Sequence, residues 1–311
     1  MKIVCTQKFS KEQFKMIEQL GYEIKYYRED SIENDSYINE SNILITYNPF
    51  STLDVSKMKK LKYIQLSSIG IDQIPSKKIE DRDILICNNK GSYSIPIAET
   101  IIMNILNIYK NSMKFYNNKL NKVWKMDYSL VELTDKKVGF LGTGTLSSET
   151  AKRLKVFGVE VWGVNTSGTI REYFDKCFSF EDIDMVFKNC DIVICTMPST
   201  KETIGIINKD KFSIMKDESI FINVGRGNIV NEKDLVKYID KFKGVYLDVF
   251  ENEPLDRYSK LWDFENVIIT PHNSWISDKN KERTFNVIYN NLKKYKDGEK
   301  LNNVIDINKG Y

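Results

Sequence analysis

Short apolar runs alternate with amphipathic stretches along the whole chain. Residues 2–5, 24–27, 43–46, 63–66 and 84–87 are such runs, with polar or helical stretches between them. Apolar segments of this length, spaced by helical patterns, predict the strands of a parallel α/β sheet. A longer helical pattern covers about residues 97–114, and residues 120–133 are polar and irregular around Trp124. We read that irregular stretch as the passage into a second α/β unit.

The second unit opens with an apolar run at 137–141, which leads into Gly142-Thr143-Gly144-Thr145-Leu146-Ser147. A helix follows at 149–157, its apolar residues at helical spacing, and then another strand at 159–164. This strand, turn, helix and strand together take about thirty residues, the size of a mononucleotide-binding half. Further strands are expected at 192–196, 219–224, 244–248 and 267–270, with a helix at 233–239 among them. After Pro271 comes one more amphipathic helix, about 279–296, and a short tail. The fold class read from the pattern is α/β, with two Rossmann-like, doubly wound parallel sheets.

Size agrees with two domains, because 311 residues exceed what one hydrophobic core usually organises. The 46 basic and 43 acidic residues are spread along the length and nearly cancel, which leaves no footprint for nucleic acid or a membrane surface. No apolar run approaches membrane-spanning length, and the start, Met1 to Thr6, reads as a short strand and not a leader. The five cysteines (Cys5, Cys87, Cys177, Cys190 and Cys195) form no CxxC pair and have no metal-ligand spacing. They read as reduced core thiols of a cytoplasmic protein, and no metal is expected.

Gly142 and Gly144 sit at the strand-to-helix turn. The first permits a tight bend, and the second lets backbone approach a pyrophosphate held by the amides and dipole of the helix N-terminus. Thr145 and Leu146 would present those amides, with Thr143 between the glycines. Ser147 stands where a third glycine would complete the dinucleotide pattern. At the end of the next strand, where an acidic residue would bond both ribose hydroxyls of NAD, the chain has Asn165 followed by Thr166 and Ser167, with Arg171 near. Without that carboxylate a 2′-phosphate meets no repulsion, so the reading leans toward NADP with NAD open. The competing reading is that Asn165 caps a turn.

One histidine is present, His272, directly after the strand at 267–270. Ligands of open α/β sheets bind at strand C-termini, and an imidazole there can exchange the proton that carbonyl reduction requires. Arg226, between Gly225 and Gly227 at another strand end, offers the planar cation suited to a substrate carboxylate; its glycines would leave room for a ligand. A carboxylate to orient the imidazole is expected from Glu253, with Glu251 kept as an alternative.

These residues carry a resemblance. The runs Val138 to Gly144, Asp191 to Val193 with Pro198 and Thr203, Asn223 to Val230, Leu247 to Pro254, and Pro271-His272 resemble, in order and spacing, the D-isomer-specific 2-hydroxyacid dehydrogenases. The resemblance implies Arg226, Glu253 and His272 as the catalytic trio, and Asp248 at the nicotinamide carboxamide. It places Thr196 and Pro198 along the adenine side, with Met197, Thr203, Val224 and Gly225 also at the cofactor. Ser68, Ile69 and Gly70 look like the family's loop that receives the substrate carboxylate on backbone amides. It further implies a flavodoxin-like substrate domain over 1–96, completed by 276–311, and a Rossmann dinucleotide domain over 97–275, with a cleft between them. A homodimer through the cofactor domain is implied too, with Trp124 and residues 109–125 at the contact; ordinary core packing is the competing reading for those aromatics.

The expected reaction is hydride transfer between a nicotinamide cofactor and C2 of a small 2-oxo or D-2-hydroxy acid, of the glyoxylate or hydroxypyruvate kind. Two alternatives stand beside it: 3-phosphoglycerate oxidation, disfavoured by the absence of a C-terminal regulatory domain and of an arginine cluster but left open for a short-form 3-phosphoglycerate dehydrogenase, and a non-catalytic dinucleotide sensor.

Overall fold

A computed structural model describes residues 1–80 and 82–307. The described chain divides into two compact units, one of Met1–Ser92 with Ser277–Tyr311 and one of Tyr93–Ile276. The last residues of the expected C-terminal segment, 308–311, lie outside the described residues.

The first unit carries β1 (Lys2–Cys5), β2 (Glu23–Tyr26), β3 (Ile43–Thr46), β4 (Tyr63–Leu66) and β5 (Leu85–Cys87), with α1 (Lys11–Gln19) and α2 (Ser36–Asn39) among them. All pair in parallel, in the order β2-β1-β3-β4-β5, the flavodoxin-like order. Strands β3 and β4 are buried along their whole length, which is why they read as unbroken apolar runs and not as alternation. Ser10 starts α1 through a capping box with Gln13, satisfying amides that the first turn would leave open.

The second unit begins with α3 (Ser94–Tyr109) and α4 (Ser112–Leu120) and continues through β6 (Lys137–Leu141), α5 (Thr145–Leu154), β7 (Glu160–Val164) and β8 (Lys176–Phe178). It is completed by α6 (Asp184–Asn189), β9 (Ile192–Cys195), α7 (Lys209–Ile214), β10 (Ile220–Asn223), α8 (Glu232–Tyr238), β11 (Gly244–Leu247) and β12 (Val267–Ile269). Its seven strands are parallel in the order β12-β11-β10-β9-β6-β7-β8. One core cluster packs Ile101, Ile105 and Leu154 against one face of this sheet, and another packs Phe187, Phe212 and Leu235 against the other face. The final helix, α9 (Asn280–Asp297), belongs to the first unit, where Phe285, Ile288 and Leu292 pack with Ile3, Ile43 and Tyr63.

Four expectations change. The chain passes between units at Ser92–Tyr93, and the irregular stretch 120–133 lies inside the second unit. The helix expected over 97–114 breaks at Asn111, which adopts the left-handed conformation (φ 48°) that asparagine tolerates. Helix α5 starts at Thr145 and not at 149, because its first turn is polar and held by the glycine turn without an apolar stripe. Strand β8 was not expected: three residues at the sheet edge, with Lys176 exposed, carry little hydrophobic signal.

Cys5, Cys87, Cys190 and Cys195 are buried and Cys177 half-buried, all as free thiols. Burial pushes the thiols of Cys190 and Cys195 up to about 12, out of the range where a thiolate reacts. No described helix is long and apolar enough to cross a membrane.

Candidate active site

The register of the second sheet decides what can meet. Leu141 pairs with Val164 and Cys195, Cys195 with Asn223, Asn223 with Leu247, and Leu247 with Ile269. Six parallel strands therefore end level, and the loops leaving them carry Gly142, Asn165, Thr196, Arg226, Asp248 and His272 on one edge. The ends of β10 and β12 are two strand spacings apart, about 10 Å. Strand order reverses between β6 and β9, so the crevice for a ligand opens beside Gly142.

Gly142 has φ +101°, and a Cβ there would lie 3.1 Å from the Thr196 hydroxyl. Gly144 is the extended N-cap of α5 with no side-chain cap, and a Cβ on it would meet nothing within 4 Å. Among the described residues no hydrogen bond reaches the amides of Gly144, Thr145 or Leu146. Unpaired amides at an uncapped helix N-terminus, in front of open space, fit a pyrophosphate. Ser147, in the third glycine position, is fully buried, and its hydroxyl donates to the Gly142 carbonyl at 2.7 Å and lies 2.7 Å from the Thr196 hydroxyl. The departure from glycine thus ties the turn to β9. Asn165 does cap its turn: its Oδ1 accepts from the Ser167 amide at 3.2 Å, and its Nδ2 donates to the Thr169 carbonyl and the Thr143 hydroxyl. It brings no carboxylate to the end of β7.

Arg226 stands in extended backbone, and its Nη1 donates to the Gly225 carbonyl at 2.8 Å. Contrary to the expectation from the sequence, the glycines beside it do not clear space for a ligand. A Cβ on Gly225 would sit 2.7 Å from the Met197 carbonyl oxygen, and one on Gly227 1.8 Å from the Phe250 carbonyl carbon. Neighbouring backbone fills those places, which locks the arginine loop between the loops that follow β9 and β11. Asn223, at the last position of β10, clips the same loop: its Nδ2 donates to the Arg226 carbonyl and its Oδ1 accepts from the Gly225 amide. Along the chain Asn223 stands out only as a polar residue closing a buried strand, the one signal of this role.

His272 Nδ1 lies 2.8 Å from Glu253 Oε2, and Glu253 Oε1 accepts from the Phe250 amide at 3.1 Å. A carboxylate only accepts, so Nδ1 carries the proton and Nε2 is the nitrogen left for exchange with a ligand. Glu251, the alternative, is engaged elsewhere: its amide donates to Glu232 Oε1, while its own Oε1 accepts from the Glu232 amide at 2.9 Å. Burial, reinforced by the like charge of Glu251, raises the Glu232 carboxyl above the ordinary carboxylate range.

Asp248 is 1% exposed and sits under the histidine turn. It accepts from the Thr270 hydroxyl at 2.5 Å, the amides of Asn273 and Ser274, and the Ser274 hydroxyl, while its carbonyl accepts from the His272 amide at 2.8 Å. His272 itself is in the left-handed region (φ 49°), a conformation these bonds over-determine. Thr203 holds the other end of the site, donating to the Pro198 carbonyl at 2.7 Å.

In the first unit, Ser68, Ile69 and Gly70 follow β4. The Asn88 side chain donates to the Ile69 carbonyl, the Asn89 amide to the Ser68 carbonyl and the Ser68 hydroxyl to the Gly70 carbonyl. Among the described residues the Ile69 and Gly70 amides have no such partner. A loop with its carbonyls tied down and two amides unpaired suits a carboxylate.

A glycine-turn pyrophosphate cradle, with an imidazole–carboxylate pair on the same sheet edge, defines the class as a dinucleotide-dependent dehydrogenase. Residues 102–274 match the family model described as "D-isomer specific 2-hydroxyacid dehydrogenase, NAD binding domain", and the chain belongs to that family. It is 31% identical over 248 residues to a glyoxylate reductase of Thermofilum pendens, covering 75% of this chain and 71% of that one. It is 26% identical to a D-3-phosphoglycerate dehydrogenase of Methanocaldococcus jannaschii, over 99% of this chain but 60% of that longer protein. Among solved structures, a probable 2-hydroxyacid dehydrogenase from Rhizobium etli, in complex with NADP, HEPES and L(+)-tartaric acid, superposes with a TM-score of 0.83 at 26% identity, covering 100% of this chain and 99% of that one.

Proposed function

We infer that the protein reduces a small 2-oxo acid of the glyoxylate or hydroxypyruvate kind to the D-2-hydroxy acid, with NADP(H) preferred over NAD(H). The observation that carries this reading is the His272–Glu253 pair at 2.8 Å beside the arginine loop. The reduced nicotinamide, when bound, supplies the hydride that reaches C2. Arg226 binds the substrate carboxylate and polarises its carbonyl. Protonated His272 donates from Nε2 to the carbonyl oxygen as negative charge develops there, and Glu253 holds the ring and offsets its charge. The amides of Gly144, Thr145 and Leu146 hold the pyrophosphate, and Thr143, Thr196, Met197, Pro198, Thr203, Val224 and Gly225 line the cofactor, while buried Asp248, its carboxylate bonded to Thr270, Asn273 and Ser274, braces the histidine turn. Ser68, Ile69 and Gly70 offer amides to the carboxylate. Asn165, Thr166 and Ser167, lacking an acidic side chain, support the choice of NADP(H). The relatives that carry reductase names agree with this reading.

The protein is proposed to work in the cytoplasm as a homodimer through its second unit. Trp124 is 100% exposed and Tyr128 88%, so neither packs in the core of its own unit. They follow α4, which borders a cavity of about 530 Å³ that is also lined by Trp262 and Ile268. A sedimentation measurement on the Trp124→Ala variant checks this: a shift from dimer toward monomer is expected.

The activity itself is tested by following nicotinamide absorbance with glyoxylate, hydroxypyruvate, pyruvate and branched 2-oxo acids against both reduced cofactors. Turnover of a small acid with NADPH supports the reading. Cofactor binding without turnover of any acid would favour a sensor, and oxidation of 3-phosphoglycerate alone would favour the phosphoglycerate enzymes.

A further inference from the structure

The strand order of the first unit reverses between β1 and β3, and there too a ligand crevice is expected at the strand C-termini. The chain fills it with its own carboxylate. Glu29, in the loop after β2, accepts at Oε2 from the hydroxyls of Thr6 and Thr46 and from the Tyr47 amide, and at Oε1 from the Asn48 amide at 2.9 Å. Both threonines are buried, with hydroxyls 3.0 Å apart. Three donors converge on Oε2 and one meets Oε1, so the chain's own carboxylate occupies this donor-rich nest.

The loop that Glu29 pins is tied onward. Gln73 Nε2 donates to the Tyr47 carbonyl at 3.0 Å and to the Ser68 hydroxyl at 2.9 Å, and that hydroxyl donates to the Gly70 carbonyl at 2.8 Å. Glu29, the Tyr47–Asn48 backbone, Gln73 and the Ser68–Gly70 loop therefore form one continuous framework within the first unit. The Tyr47 side chain, 53% exposed, stands at the open end of it.

We propose that Glu29 and Gln73 are positioning residues for substrate choice: they fix the loop after β3 against the carboxylate loop after β4, and so restrict the protein to 2-oxo acids with no more than a small substituent on C2. The proposal rests on the reductase reading given above. A fixed Tyr47 backbone sets how far the phenol stands from the Ile69 and Gly70 amides, and hence what fits beside a carboxylate held there. Released, the loop samples wider positions; small acids lose their fit and branched ones gain room.

The test compares wild type with Glu29→Gln and Gln73→Leu in the full chain. In Glu29→Gln one of the four donors faces an amide NH₂ in place of an acceptor oxygen. Three quantities are read: kcat/KM for glyoxylate and for a branched 2-oxo acid, the NADPH dissociation constant, and hydrogen exchange at the Tyr47 and Asn48 amides. The expected result is a fall of at least tenfold in the preference for glyoxylate, carried by KM, with NADPH affinity within twofold of wild type. Exchange at the two amides should be at least tenfold faster in Glu29→Gln. Should that variant fold poorly, Gln73→Leu reads the same preference without touching the nest. An active wild type whose preference stays within twofold in both variants, or falls equally for both acids, would overturn this inference alone. A wild type inert toward every 2-oxo acid would overturn the reductase reading with it.

Discussion

The two sheets use one architectural opportunity in opposite ways. Each is parallel, and each has a crevice where its strand order reverses, between β1 and β3 in one and between β6 and β9 in the other. In the first, buried hydroxyls and two amides are closed by Glu29. In the second, Gly142 and Gly144 keep side chains away, and the amides of the α5 N-terminus stay open to a ligand. The fold supplies a donor-rich edge in both; whether it binds a cofactor or braces a loop depends on the presence of one carboxylate.

That contrast can be broken by building the first arrangement into the second. Gly144→Asp places a carboxylate before the α5 amides, where φ is −79° and nothing lies within 4 Å of the new Cβ. NADPH affinity should fall about a hundredfold in a calorimetric titration, with the fold intact. Intact affinity would mean that the pyrophosphate is held elsewhere.

A smaller effect concerns how β6 and β9, the strands flanking the open crevice, are joined. Burial raises the Asp191 carboxyl, but the Lys137 amide at 2.8 Å and Lys216 Nζ at 2.9 Å outweigh it and hold the group below its ordinary range. A depressed folded pKa contributes stability above the unfolded value, lost as pH falls through the folded one. Asp191→Asn should cost about 1–2 kcal/mol in urea melts at neutral pH, with the difference vanishing in acid.

Glu232 runs the other way. Its raised pKa means that the charged form weakens the fold above that value, and that the penalty disappears below the ordinary carboxylate range. Glu232→Gln should therefore stabilise by about 0.5 kcal/mol at neutral pH and by nothing in acid. A loss of stability at neutral pH would show that the exchange of bonds with Glu251 outweighs the buried charge.

Much of this was legible along the chain, and the parts that were not share a cause. Buried parallel strands such as Ile43–Thr46 and Ile220–Asn223 announce themselves as apolar runs, and Gly142, Gly144 and the single His272 carry chemistry in their spacing. Glu253 is preferred along the chain, but setting Glu251 aside requires knowing that it is occupied by Glu232, nineteen positions away. The reason for Gly227 is the backbone of Phe250, and the role of Glu29 depends on Thr6 and Tyr47, on separate elements. Periodicity reports which face is apolar; it does not report which polar groups find each other across a fold. For a related reason the polar, irregular pattern of 120–133 makes it look like a linker, although it is part of the second unit and the chain passes between units at Ser92–Tyr93.

The central claim is that His272, oriented by Glu253, moves the proton at a site that binds the cofactor independently of it. The most direct measurement takes NADPH binding and steady-state turnover of a 2-oxo acid on one preparation of His272→Gln beside wild type. The account predicts an NADPH dissociation constant within about twofold of wild type and a turnover number lower by about a thousandfold. Turnover within a few fold of wild type would contradict it.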